Sequence, residues 1–310
     1  MAVDRDWAAT AQRAFELEVL DILSPYLTAR VPDFDGLAIS GGCALNVLSN
    51  SRVERVLNVP VSVPSAPNDG GLSLGACWQL TRPRVRQVLQ YAGPPLFDSD
   101  DKDALVAAFA AAAAPLERVQ VEEDVPVEAV AALLAEGAVV GVARRRAEFG
   151  PRALGHRSLL AAPFGGAKDA MNVIKFREWW RPVAPMVAVE DALRVFTTLP
   201  RSPYMSFAPD LTDEAKAALP AIAHFDGTAR PQIVYAEETP WLHALLVAVK
   251  RRTGWAVLIN TSFNTRGKPI LNTAREALTL LADSPGMSAV VLEDTLVHLP
   301  GRALAARDPG

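Results

Sequence analysis

The chain has 310 residues, half of them hydrophobic and 21% charged, with a formal net charge of −4 at pH 7. That is the composition of an ordinary soluble protein of roughly two domains. With a pI near 5.7 it is no general nucleic-acid binder, so any anion site must be a local gathering of basic groups. Cys43 and Cys77 are the only cysteines, which excludes a disulfide framework and a cysteine zinc site. No signal pattern and no long uncharged apolar run is present, so the expectation is a cytoplasmic protein without a membrane partner.

Trp7, Ala11, Phe15, Val19 and Leu23 at helical spacing predict an amphipathic helix over 7–28. Leu37-Ala38-Ile39 reads as a short strand that Gly41-Gly42 breaks, with a helix over 44–57, a second strand over 59–63 and a helix over 72–80. Residues 81–115 carry Pro83, Pro94, Pro95 and four aspartates before an alanine-rich helix at 103–114, a pattern that predicts a connection. Beyond it, strands are predicted at 118–122, 138–143, 159–162, 183–189, 232–235, 255–260, 289–292 and 295–299. Helices are predicted at 126–136, 166–174, 240–252 and 273–284. The expected organisation is a first α/β region over 1–85, a connection over 86–115 and a second α/β domain over 116–310.

Chemistry-bearing residues fall in six segments. Gly41, Gly42 and Asn46 join a strand to a helix; they suit either a ligand at a helix N-terminus or a plain turn with a capping asparagine. Asp69, in Asn68-Asp69-Gly70-Gly71, is either a helix cap or a metal ligand. Residues 147–158 hold Glu148, Arg152, His156, Arg157 and Ser158 around Gly150 and Gly155. Forked arginines beside permissive glycines suit an anion. Lys175 and Arg177 lie two apart, so on extended chain they share a face and converge on one anion. His224 precedes Asp226, which could orient its imidazole, and Arg230 and Gln232 follow. Ser262 and Asn264 offer a hydroxyl and an amide after the most apolar strand, with Arg266 and Lys268 adding charge.

Together the segments GGCALN (41–46), NDGG (68–71), EFGPRALGHRS (148–158), KFREWWRPVAP (175–185), HFDGTARPQ (224–232) and NTSFN (260–264) resemble the NodU/CmcH/TobZ family of ATP-dependent O-carbamoyltransferases. The resemblance implies an α/β fold: the C-terminal half of an actin-like (Kae1/TsaD-like) domain, then a YrdC/Sua5-like domain. It implies that the second domain forms carbamoyl-adenylate from carbamoyl phosphate and ATP, with Mg²⁺, for transfer to a hydroxyl acceptor small molecule. It carries a Lys-x-Arg and Ser-x-Asn tetrad onto Lys175, Arg177, Ser262 and Asn264. By extension Arg152, Arg157, Ser158, His224, Arg230 and Gln232 would line the substrate pocket, with Gly41, Gly42 and Asn46 as nucleotide contacts. Asp69 would hold Fe²⁺ or another divalent ion with two histidines that fall in the half of the family pattern this chain does not match. The resulting expectation is a split enzyme, with a second polypeptide supplying the N-terminal Kae1-like half. The alternatives are an inactive nucleotide-binding scaffold subunit, or N-carbamoyl transfer.

Overall fold

Alternation along the strands of the second region sets its architecture. Val257 and Ile259 point to one side of a sheet with Val290 and Leu292, while Leu258 points to the other with Ala289 and Val291. Both faces are therefore apolar and both need cover. The computed structural model supplies it as a three-layer α/β/α arrangement, and it describes residues 2–30, 35–85, 88–113, 119–199, 201–265 and 267–300. Arg118, Arg266, the predicted helix end at 114 and residues 301–310 lie outside the described residues.

The central sheet has eight strands in the order β3-β10-β9-β4-β5-β8-β6-β7. In chain order these are β3 (Gln120–Glu122), β4 (Val140–Ala143), β5 (Arg157–Ala161), β6 (Ala184–Ala188), β7 (Gln232–Val234), β8 (Val257–Ser262), β9 (Ala289–Leu292) and β10 (Thr295–His298). The β4–β9 and β6–β7 pairs are parallel and the other neighbours antiparallel. Helices α5 (Val127–Ala135) and α9 (Pro240–Thr253) cover one face through Val130, Leu134, Leu245 and Val249. Helices α4 (Lys102–Ala113), α6 (Ala167–Ile174) and α10 (Ala274–Asp283) cover the other, helped by the short α7 (Ala192–Val195) and α8 (Asp213–Ala218). The sequence pattern did not predict α7 and α8, which are too short for a period to register.

The first region is slighter. A parallel pair, β1 (Leu37–Ala38) and β2 (Val61–Ser62), is flanked by α1 (Ala2–Arg30), α2 (Val47–Leu57) and α3 (Leu72–Thr81). Its small core of Leu20, Ala44, Val53, Val61 and Val63 closes on Phe207 of the second region. The predicted strand at 59–63 shrinks to two residues and the predicted helix at 44–57 begins as a 3-10 turn over Gly42–Leu45.

Residues 90–97 are stitched to the second region. Gly93 N–H donates to the Ala147 carbonyl, Ala147 N–H to the Pro94 carbonyl and Phe149 N–H to the Gln90 carbonyl, all at 3.0 Å or less. Leu96 and Val106 enter its main core.

Candidate functional site: a cationic cleft at the end of β8

Strand β8 delivers Ser262 to the sheet's end. Phe263 then turns fully inward, its ring filling the space a side chain at Gly141 would need; a Cβ there would sit 2.5 Å from the ring. That anchor leaves Ser262 and Asn264 on the open side. Lys175 comes from the opposite direction, at the C-cap of α6. Its ammonium donates to the Ser262 carbonyl at 2.7 Å, the Ser262 hydroxyl at 3.1 Å, the Asn264 carbonyl at 2.7 Å and Asn264 Oδ1. The hydroxyl of Ser262 donates to the same Oδ1 at 2.7 Å. Lys175 is 8% exposed, and burial, with Arg177 alongside, pushes it down to about 7.

Lys175 and Arg177 do not lie on extended chain as the spacing predicted. Lys175 closes a helix, and Phe176 takes a left-handed conformation (φ 48°) that swings Arg177 back over the helix end. Both cations still reach one place. A cleft of about 400 Å³ is lined by Lys175, Phe176, Arg177, Ser262, Asn264 and their neighbours. A smaller cavity of about 130 Å³ shares Arg177 and Ser262 and adds Arg152, Arg230, Asn260 and Met205.

Three guanidiniums therefore face a common space, and no carboxylate among the described residues lines the smaller cavity. Burial, with Arg152 and Arg177 nearby, pushes Arg230 down to about 10. Arg152 and Arg177 are also lowered, chiefly by burial. Arg152 Nε, one Arg177 Nη and Asn260 Oδ1 are buried without a hydrogen-bond partner. Unpaired buried donors cost free energy unless a ligand satisfies them. Asn260 was not singled out from the sequence; its signal was a lone polar residue at the end of an apolar run.

Other expected residues are placed differently. Arg157 is fully buried and gives its two Nη groups to the carbonyls of Arg144, His156 and Arg145, leaving only Nε without a partner. Ser158, also fully buried, accepts from Gly155 N–H at 2.8 Å. Neither lines the cleft. Gln232 donates to the Leu154 carbonyl at 2.9 Å from within the sheet. These three brace the loop carrying Arg152, as does Glu148, whose one carboxylate oxygen accepts from the N–H groups of Leu154, His156 and Arg157. The glycines serve packing rather than an anion: a Cβ on Gly150 (φ 138°) would lie 2.1 Å from the Ser65 carbonyl, and one on Gly155 would meet Leu242. Thr228 bridges His224 and Asp226: its hydroxyl donates to Asp226 at 2.7 Å and stands 3.0 Å from His224 Nδ1.

In the first region Asn46 caps α2, accepting from Ser49 N–H, and trades amide bonds with Gln12. Gly41 and Gly42 are exposed on the adjoining turn. Asp69 is exposed, and no group of three or more metal-ligating side chains occurs among the described residues. The donor set for a divalent ion at Asp69 is therefore not met by these residues. A separate crevice, about 580 Å³ between α2 and residues 197–199 and 201–210, mixes Glu54 and Asp210 with Arg55 and Arg201 and lacks the unopposed arginines of the smaller cavity. Among the described residues no helix is long and apolar enough to cross a membrane.

Fold and site together define an α/β protein with a cationic cleft. Residues 131–298 match the family model described as Carbamoyltransferase C-terminus. Nodulation protein NolO of Bradyrhizobium diazoefficiens is 36% identical over 91% of this chain and 53% of its own. The 3'-hydroxymethylcephem-O-carbamoyltransferase of Amycolatopsis lactamdurans is 35% identical over 86% and 49%. The chain belongs to the carbamoyltransferase family, and it spans about half the length of these relatives. Among solved structures, a P. abyssi Sua5 protein aligns at 14% identity over 53% of this chain and 49% of that one, with a TM-score of 0.36, too distant to place the fold.

Proposed function

We propose that the β8 cleft makes carbamoyl-adenylate for O-carbamoylation of a small-molecule hydroxyl. One observation carries this: Arg152, Arg177 and Arg230 share a cavity without a carboxylate, and two of them keep buried donors unused. Phosphate oxygens would meet those donors as bidentate acceptors.

In the proposed sequence water cleaves carbamoyl phosphate to carbamate and phosphate. A carbamate oxygen then attacks the α-phosphorus of ATP, the bond to the β-phosphate bridge breaks, and pyrophosphate leaves. The acceptor hydroxyl attacks the carbamoyl carbon, loses its proton, and AMP departs. Charge builds on phosphoryl oxygens in the second step, and the fixed guanidiniums and Lys175 are the groups that would stabilise it. Ser262 and Asn264 hold Lys175 in place. Among the described residues Glu178 is the only carboxylate lining the larger cleft, and it is paired with Arg181 at 3.3 Å. Mg²⁺ would come with the nucleotide and would supply charge neutralisation on the phosphates.

Transfer to the acceptor is assigned to the first region completed by a second polypeptide carrying the Kae1-like half. The support is the family's greater length and the uncovered apolar face of α3. Metal ligands beyond Asp69 would have to come from there.

The test is ATP–pyrophosphate exchange by the chain, with and without carbamoyl phosphate. Exchange that requires carbamoyl phosphate and is lost in Arg177→Ala supports the reading. Equal exchange in Arg177→Ala, or exchange indifferent to carbamoyl phosphate, rejects it.

A further inference from the structure

Arg177 can serve an anion only if its fork is held in the cleft, and a guanidinium surrounded by other cations tends to swing away. The residue that prevents this is buried one turn back on α6. Asn172 is 1% exposed. Its Oδ1 accepts from Arg177 Nε at 2.6 Å, and its backbone carbonyl accepts from Arg177 N–H at 3.0 Å. Its Nδ2 donates to the carbonyls of Trp179 at 3.2 Å and Arg181 at 3.0 Å. One side-chain amide therefore fills both acceptor and donor roles against the turn that follows the helix. Nε is tied down, so the two Nη groups are the ones left to face the cleft, and one of these is the buried donor without a partner.

The same grip explains the left-handed Phe176. A non-glycine residue at positive φ is strained and persists only where its surroundings over-determine it. Asn172 holds the chain on the far side of Phe176 at three points, Arg177, Trp179 and Arg181. Aspartate would keep the acceptor but lose both donations and bury a charge. Alanine would release the fork and the turn together.

We infer that Asn172 is a positioning residue for anion binding, acting through Arg177. The inference rests on the cleft reading above. Inorganic pyrophosphate titrated calorimetrically into the chain is the probe, with wild type, Asn172→Ala, Arg177→Ala and the double variant compared. Asn172→Ala is expected to weaken binding about tenfold in the wild-type background. In the Arg177→Ala background it is expected to add less than about twofold, because the residue it acts through is gone. A loss of equal size in both backgrounds, or none in the first, overturns the inference. Wild-type affinity in Arg177→Ala itself overturns the cleft reading beneath it, a separate result. Should Asn172→Ala fail to fold, nitrogen-15 arginine labelling of the wild-type chain decides. The Arg177 Nε–H resonance, identified by its absence from Arg177→Ala, is expected to exchange slowly with solvent. Exchange at the rate of a free guanidinium overturns the inference.

Discussion

The two regions of this molecule handle apolar surface in opposite ways. Over residues 119–300 both faces of the sheet are covered and strand after strand is fully buried. Over residues 35–85 a two-stranded pair stands in for a sheet, and α3 (Leu72–Thr81) is an apolar helix without one buried residue. Leu72 is 68% exposed and Leu80 86%. A ten-residue helix has little stability without packing. The cationic cleft sits where the core is complete; the uncovered surface lies in the slighter region.

The largest effect that could break this comparison is at Arg230. Arg230→Ala is expected to lower carbamoyl-phosphate-dependent exchange on the order of 10² to 10³-fold. It should leave the melting temperature unchanged or raised, since it removes a buried cation held beside Arg152 and Arg177. A large fall in melting temperature would make the arginine a structural residue instead.

The seam between the regions comes next. Gly150→Ala places a Cβ 2.1 Å from the Ser65 carbonyl at a φ of 138°. The expected cost is about 2–4 kcal/mol, read as a lower melting temperature and earlier proteolytic release of the first region. An unchanged melting curve would mean that the regions are not joined there.

A smaller effect is set by pH. Lys175 titrates near 7 when folded, well below its value in an unfolded chain. Between those values the unfolded chain binds the extra proton, so this group's contribution to stability rises with pH from about 7 to about 10. Its cost is fully present below pH 7. Anion binding has the opposite sign, because it favours charged lysine. The lysine's share of pyrophosphate affinity, read as the ratio of wild type to Lys175→Met, should fall as pH rises through about 7, by at most about tenfold per unit.

The smallest expected effect sharpens the comparison most. Leu80→Ser should change the stability of this chain by no more than about 0.5 kcal/mol, because the side chain is exposed. A loss above about 1 kcal/mol in chemical denaturation would mean that α3 is already packed.

Much of this was legible in the sequence where one physical rule dominates. Apolar runs such as Ala289–Leu292 and Val257–Ile259 announce buried strands because both sheet faces are covered. The predicted helices at 240–252 and 273–284 match α9 and α10 within a residue or so, and Thr273 and Glu276 form a capping box at the start of α10. The cleft was half legible. The approach of Lys175 to Ser262 and Asn264 followed from family resemblance, whereas the extended-chain argument for Lys175 and Arg177 had the wrong backbone. A left-handed phenylalanine has no sequence signature. Charge alone also could not separate Arg152, which faces the cavity, from Arg157, which is consumed by three carbonyls. Asn172 looked like any polar helix residue, because its role depends on the turn folding back over it.

The contact of Gly150 with Ser65 has a consequence for how related chains can diverge. That contact is main chain against main chain, and so is the pairing of Gly93, where a Cβ would lie 2.7 Å from the Ala147 carbonyl. A junction of this kind is blind to the side chains around it. It holds only while two places in the chain never acquire a carbon beyond Cα.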